Sequence, residues 1–416
     1  MTALADSYKL EINFPTSASF GNALLLDDAA SGLLDTGKLG GDAWADVTSD
    51  IQQITASKGR SRQLDTFQSS TLSFTLKNNA RGYDPTNTAG IYFGGLVPRR
   101  PIRFTTNSTY VFYGWIDDIN INYDQPTNSV VTMSCVDAFS VLASISIQLR
   151  IMSNGQRADL RIAEVLALPE VGSPVTTSLE IANETLGDDT IAEGTTVLDY
   201  LQQINRSEQG YLFVAGDGTL TFYARNTALA FGVASAPVFV DSAPAIGEFR
   251  YTAISVQFGT ELLYNRIVTQ NTEGGTAQTA ENLTSQSDYL VRTLAINDML
   301  LQTDAQALGI ANYLLAKYDT PQFRYDSVTV SMSGLSTADQ NTLLGIEIAD
   351  IVQVKRTFAV GTPLVVSKYA SVEGISHSIT LTEHTIVFNL STSTDITNLR
   401  LDNALFGLLD SSTLGF

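Results

Sequence analysis

Read along its length, the chain alternates. Thr71-Leu72-Ser73-Phe74-Thr75-Leu76 puts Leu72, Phe74 and Leu76 on one face, and 115–123 does the same with Trp115, Asp117, Ile119, Ile121 and Tyr123. Residues 128–136 read as the returning strand, with Asp-Gln-Pro-Thr-Asn at 124–128 as the turn. The same period-two signature predicts strands over 211–215, 219–225, 251–258, 264–271, 325–333, 350–357, 364–380 and 384–391. Gly216-Asp217-Gly218 predicts a hairpin with a type I′ turn, in which both central residues need positive φ; a calcium loop would need further acidic ligands, which the segment lacks. Such alternation, broken by Gly, Pro and Asn clusters, defines a mainly β chain of barrels or sandwiches.

Helices are few and marked by their ends. Thr303-Asp-Ala-Gln306 is a capping box ahead of Ala307, Leu308, Ala311, Leu314 and Leu315, with Pro321 beyond the stop. Thr196 caps a second helix with the stripe Leu198, Leu201, Ile204 and Gly210 as its expected C′ residue. A third is expected over 157–168, with Leu160, Val165 and Leu166 inward and Pro169 as the stop.

Composition limits what such a β chain does. At 416 residues it exceeds one ordinary core, and 44% apolar residues exclude wholesale disorder. Only 16% of residues are charged, against roughly 25% in an average soluble domain. The surface must therefore be covered by Ser, Thr, Asn and Gln, which suits extensive protein contacts. The balance is acidic, net −19, and disfavours binding to nucleic-acid phosphates as a main function. A single cysteine, Cys135, excludes an internal disulfide and a cysteine-based metal cluster. No secretory leader and no apolar run of about 20 residues is visible, so the chain is expected to be made in a cytoplasm and to carry no membrane anchor.

Two internal repeats follow. Residues 26–41, LDDAASGLLDTGKLGG, align without a gap to 401–416, LDNALFGLLDSSTLGF, with nine identities. Two copies of one compact hook are expected, in which Leu26, Leu33, Leu34 and Leu39, and Leu401, Leu408, Leu409 and Leu414, fill equivalent grooves on the same or a neighbouring chain. The second repeat is one of pattern: strand, turn, glycine-bearing strand and returning strand recur over 101–137 and 350–391. Two related barrel modules are one reading and convergence of two ordinary antiparallel sheets is the other.

No residue pattern in the chain carries a recognisable catalytic or metal-binding chemistry. The only histidines, His377 and His384, with Glu373 and Glu383 nearby, match no metal-ligand spacing and are expected to be solvated strand residues. No nucleophile elbow, P-loop or dinucleotide fingerprint occurs, so no catalytic residue, metal or cofactor is expected and the chain is read as a non-enzyme. Lys58-Gly-Arg60-Ser-Arg62 and Arg99-Arg100-Pro-Ile-Arg103 concentrate basic charge on two loops. Solvated loop charge is one reading; the other makes Arg60, Arg62, Arg99 and Arg100 contacts to the acidic surface of a neighbouring copy.

At this point a resemblance appears. Ile54-Thr-Ala-Ser-Lys-Gly-Arg-Ser-Arg, then Ser70-Thr-Leu-Ser-Phe-Thr-Leu-Lys-Asn-Asn-Ala-Arg-Gly-Tyr-Asp-Pro, Arg100-Pro-Ile-Arg-Phe and Phe112-Tyr-Gly-Trp-Ile-Asp occur in that order. Together they resemble the minor tail proteins of long-tailed bacteriophages. Leu198-Asp-Tyr-Leu-Gln-Gln-Ile, the Gly-Tyr-Leu-Phe-Val-Ala-Gly-Asp-Gly stretch from Gly210, and Tyr264-Asn-Arg-Ile-Val are similar to the tail-hub (baseplate hub) group. The resemblance implies a mainly β fold of two tube-like antiparallel β-barrel domains with a middle α+β region and a few inserted helices. Taken with the repeat and the capping box, the expected division is an arm over 1–44 carrying the first hook, barrels over 45–145 and 249–400, a middle domain over 146–248, a helical insertion near 298–319 and the second hook at 401–416. The resemblance further implies a homotrimer forming a pseudo-sixfold ring at the tail tip of a virion. Distal tail or tube proteins and fibre or other minor tail proteins would be its neighbours, with DNA passing through without specific binding. A carbohydrate-binding host-recognition protein and a sixfold distal tail ring are the alternatives.

Overall fold

The computed structural model describes residues 7–14, 43–125, 128–172, 175–225, 236–272 and 274–392. The fold is mainly β, and a 14-stranded sheet dominates it. Its first half comprises β1 (Tyr8–Phe14), β2 (Ala43–Asp46), β3 (Ile51–Gly59), β4 (Gln68–Lys77), β5 (Pro101–Thr106), β6 (Thr109–Gln125) and β7 (Asn128–Val136). Helices α1 (Ala138–Ser144), α2 (Ala158–Leu166) and α3 (Val197–Glu208) follow. Short strands accompany them: β8 (Arg150–Met152), β9 (Gln156–Arg157), β10 (Thr177–Leu179), β11 (Thr185–Leu186), β12 (Asp189–Ile191), β13 (Tyr211–Val214) and β14 (Leu220–Tyr223).

The second half of the large sheet starts with β15 (Val238–Val240), β16 (Glu248–Arg250) and β17 (Ala253–Phe258). The chain then leaves the sheet for β18 (Arg266–Asn271), β19 (Gln278–Glu281), α4 (Leu283–Tyr289), β20 (Thr293–Met299) and α5 (Asp304–Tyr318). It returns as β21 (Phe323–Ser331), α6 (Thr337–Leu344), β22 (Ile351–Thr357), β23 (Val365–Thr380) and β24 (His384–Thr392). The excursion is longer than the helix expected from sequence, because α5 brings its own platform, the three-stranded sheet β19-β18-β20.

The two halves have one strand order. The first runs β2-β1-β5-β6-β7-β4-β3 and the second β16-β15-β22-β23-β24-β21-β17. Each contains a long central strand with a bulge, at Ile116/Asp118 in β6 and at Val372/Gly374 in β23. The pattern repeat between 101–137 and 350–391 is thus a repeat of topology, β5-β6-β7 answering β22-β23-β24. The halves join edge to edge: β3 pairs with β23 from Gln53↔Thr380 to Gly59↔Gly374.

Alternation decides which face is dry. Ile54, Leu72, Phe74, Met133, Val328, Ile375 and Phe388 are buried in one cluster that spans both halves. Each large side chain so buried contributes about 1.5–3 kcal/mol. A second cluster joins Phe139, Ile162, Tyr200, Ile204 and Phe222 to Ile267, Met299, Ile310 and Leu314, so the excursion packs with the middle region.

The helices correct three details. Helix α5 has its capping box, but its buried stripe is Ala307, Ile310, Ala311, Leu314 and Tyr318, with Leu308 and Leu315 half-buried. Helix α2 buries Ala158, Ile162 and Val165 and leaves Leu160 exposed. The i, i+4, i+7 set wins because its register meets the second cluster on one side only. Helix α3 ends with Gln209, not Gly210, in the left-handed region (φ 57). Gly210 is required for another reason: a Cβ there would lie 2.4 Å from the Tyr223 carbonyl oxygen.

The β13-β14 hairpin also differs from its expected turn. Among its turn residues only Gly218 has positive φ, +88°, and Gly218 N–H donates to the Ala215 carbonyl at 2.9 Å. This is a β-turn closed by one left-handed glycine, not a type I′ pair. Gly216 serves docking, since a Cβ there would stand 2.4 Å from the Tyr110 carbonyl oxygen on β6.

Candidate functional site: a hydroxyl face and the junction beneath it

The register of the large sheet assembles something no single strand displays. Across β6, β7, β4 and β3, Asp118 faces Ser134, Ser134 faces Ser73, and Ser73 faces Thr55. The row continues over the junction: Thr55 faces Ser378 on β23, Ser378 faces Thr385 on β24, and Thr385 faces Ser331 on β21. A neighbouring row runs Asn120, Thr132, Thr75, Gln53, Thr380. The next runs Thr71, Ser57, Ser376, Val387, Thr329. These residues alternate with the buried set, so they share the opposite face, exposed or half-buried.

The rows hold no lysine or arginine and one carboxylate, Asp118. Their hydroxyls satisfy one another across strands, Ser57 Oγ with Thr71 Oγ1 at 2.9 Å and Thr75 Oγ1 with Thr132 Oγ1 at 3.2 Å. Asn120 Nδ2 donates to Asp118 at 2.9 Å. These rows present dipoles and no fixed cation, with Lys77 at their margin as the exposed cation on the same face of β4, so the rows themselves offer an anionic polymer no counterion release.

Beneath that face lies the junction. Gly59 and Gly374 let β3 and β23 approach: a Cβ on Gly59 (φ +93) would meet the Glu373 carbonyl oxygen at 2.4 Å. The next residues form a buried ion pair, Arg60 Nε to Glu373 Oε2 at 2.7 Å, with the Glu373 side chain fully buried. Glu373 also accepts from Ser371 Oγ at 3.3 Å, from the Ser391 hydroxyl and from Tyr211 OH at 3.4 Å. Arg60 stacks over Phe67 at 4.3 Å and Tyr211 at 5.3 Å, and donates to the Asp65 carbonyl at 3.1 Å. Burial works against its charge, but Glu373, joined by Tyr211 and Tyr318, outweighs it and holds the guanidinium above its ordinary value. One ion pair therefore ties the first half, the second half and the middle region together. A mixed cleft of about 310 Å³ opens beside it, lined by Tyr211, Tyr313, Lys317 and Tyr318 among others.

The two histidines are not solvated, as the sequence had suggested. His377 and His384 are buried, with Nδ1 of His377 3.1 Å from Nε2 of His384. His377 shares strand parity with Ile375 and Ile379 and so faces the core. Burial, aided by the charges of His384 and Lys58, pushes its pKa well down and keeps it neutral. Among the described residues no group of three His, Cys, Asp or Glu side chains is placed to hold a metal ion.

The basic residues singled out from sequence separate. Arg60 is the interior partner of Glu373. Arg62 is exposed and pairs with Glu261. Arg99 is exposed, 3.7 Å from Asp117, and Arg100 donates to the Gly95 carbonyl at 3.0 Å. The eight leucines Leu26, Leu33, Leu34, Leu39, Leu401, Leu408, Leu409 and Leu414 lie outside the described residues. Sequence reading missed the hydroxyl rows and Glu373; the Ser/Thr alternation opposite the apolar positions was the available signal for the first.

These features define a scaffold class: a duplicated, edge-joined, mainly antiparallel sheet with rows of uncharged polar side chains on one face. Solved phage tail proteins share the fold. The chain is similar to the 43 kDa tail protein of prophage MuSo2 from Shewanella oneidensis, with TM-score 0.59 and 13% identity over 93% of this chain and 98% of that one. It is similar also to the tail protein from Neisseria meningitidis MC58, with TM-score 0.58 and 13% identity over 92% and 97%. No protein-family model and no curated protein matches the sequence. No helix among the described residues is long and apolar enough to cross a membrane.

Proposed function

We propose that this protein is a structural component of a phage tail tip: a hub that closes the tail tube, surrounds the DNA exit channel and links the tube to fibre or receptor-binding parts. The observation that carries the reading is the continuous hydroxyl face laid across two halves of one strand order. A duplicated sheet supplies two equivalent wall segments per chain, so three chains supply six and match a sixfold tube. The Ser/Thr rows form the channel wall, where hydroxyl rows free of lysine and arginine let DNA slide past without binding. In this reading the tube-like modules are 45–145 and the sheet-forming parts of 249–400. The leucine-rich segments 26–41 and 401–416 recruit neighbouring tail components, and the protein resides at the virion tail tip after synthesis in the host cytoplasm.

The test is the mass and shape of the assembly. Native mass spectrometry at micromolar concentration is expected to give three copies, and cryo-electron microscopy of tails a ring lined by Ser73, Thr55 and Ser378. Six copies in the ring, or those residues facing outward, would overturn the reading.

A further inference from the structure

Apart from the parallel pairing of β15 with β16 and β22, where β1 runs antiparallel to β2 and β5, the two halves differ in how one strand edge is used. In the second half, the end of β23 beyond its bulge carries β3 on one edge and β24 on the other. In the first half, the corresponding part of β6, Asp118–Gln125, pairs with β7 alone. The counterpart of β3 in the second half is β17, and β17 pairs with β21 alone. Among the described residues one strand edge is open on each half, and each is the equivalent of an edge that is already used.

The sequence of β17 fits that use. Ile54-Thr-Ala-Ser-Lys-Gly59 and Ile254-Ser-Val-Gln-Phe-Gly259 align without a gap, each ending in glycine. Gly59 is needed because β23 approaches it closely. A Cβ on Gly259 would meet nothing within 4 Å, and its φ is not positive, so the chain's own described structure gives that glycine no reason. Phe258 is 71% exposed, Val256 42% and Tyr123 54%, an apolar edge of the kind that soluble proteins normally cover or charge.

We infer that β17 of one copy adds to β6 of the next as an antiparallel strand, reproducing between chains the β3-β23 pairing within the chain. This rests on the ring reading above and adds its joint and register. Transferring the β3-β23 register through the two bulges sets Ile254 opposite Tyr123, Ser255 opposite Asn122, Val256 opposite Ile121, Gln257 opposite Asn120 and Phe258 opposite Ile119. Gly259 then meets Asp118 as Gly59 meets Gly374. Apolar residues land on the core face and Ser255 and Gln257 beside Asn122 and Asn120, so the hydroxyl face continues across the joint. The contact is head-to-tail, and such a contact closes when the rotation per copy allows. Main-chain hydrogen bonds provide adhesion and the alternating side chains provide register.

The test uses the full chain with S255C and N122C together. Directly opposed strand residues have Cα atoms about 4.5–5.5 Å apart, inside the roughly 4.4–6.8 Å that a disulfide spans, and the native Cys135 is buried. Mild oxidation is expected to convert most of the protein into covalent species of two and three chains on a non-reducing gel. The shifted pair S255C with N120C should give less than a tenth as much. F258D, at an exposed site, is expected to leave the melting temperature of the single chain unchanged and to weaken assembly at least tenfold. An assembly of three copies in which the matched pair fails to cross-link, the shifted pair links better, or F258D assembles normally would overturn the joint and leave the ring reading standing. A single-chain mass at about 100 µM would overturn both.

Discussion

Glu373 and Asp117 occupy equivalent bulges in the two halves of the sheet, and their surroundings could hardly differ more. Glu373 is fully buried and pairs with Arg60 at 2.7 Å; Asp117 is half exposed, with Arg99 at 3.7 Å. The difference follows from what covers each bulge. Strand β3 lies over the first, excludes water and brings its own cation, while among the described residues no strand follows that edge beyond the second. The same strand order thus produces a structural lock on one side and an exposed bulge on the other, and the strand that covers the bulge decides which.

The largest expected effect breaks that contrast at the lock. Glu373→Ala leaves Arg60 buried without its partner and should cost about 3–5 kcal/mol in denaturant unfolding. Asp117→Ala, at the equivalent exposed site, should cost under about 1 kcal/mol. Equal losses from the two would mean that the bulges are not distinguished by burial.

Glycine sharpens it next. Gly59→Ala must push the Glu373 carbonyl away and adopt an unfavourable φ, for roughly 1–3 kcal/mol. Gly259→Ala should change the stability of the single chain by less than about 0.5 kcal/mol, because its Cβ position is open. The same pair of denaturant curves checks both.

A third comparison concerns protons. His377 in the second half corresponds to Ile121 in the first. Its imidazole titrates near 6.5 when unfolded and well below that when folded. Between the two values the unfolded chain binds the extra proton, so stability is complete above about pH 6.5 and falls as the pH drops below it, by at most about 1.4 kcal/mol per pH unit. Asp350 opposes this: burial raises its carboxyl from 3.8 to about 6, so between those values the folded chain holds the proton and gains stability on acidification. His377→Ile should remove the histidine slope and leave that of Asp350; unfolding free energies at pH 7.5, 6.5 and 5.5 decide it. The smallest effect belongs to Arg62→Ala, whose exposed pair with Glu261 should contribute under about 1 kcal/mol.

Much of this molecule was legible in the sequence. Period-two alternation located Leu72, Phe74 and Leu76 on the dry face, and the capping box at Thr303 and Gln306 set the start of α5, because both signals are local and need only neighbouring residues. The strand order of 101–137 and 350–391 also showed through as strand, turn, long strand and returning strand, although its glycines are not equivalent: Gly374 stands where the first half has Asp118, and Gly114 where the second has Ala370. What was misread were quantities that depend on distant chain. The histidines were placed in solvent although their parity with Ile375 and Ile379 pointed inward, and Arg60 was grouped with surface loops although it lies inside. Nothing within Lys58–Arg62 shows that Glu373, more than three hundred residues on, completes its charge. The hydroxyl rows are the clearest case. Each strand alone says only that Ser and Thr face away from the core; the register between β3 and β23, set by two glycines and a buried ion pair, aligns those separate stripes into one surface. Local sequence determines the period and the ends of elements because those follow from backbone geometry. Long-range pairing decides which edges are covered, and coverage decides charge state, burial and the surface left for a partner.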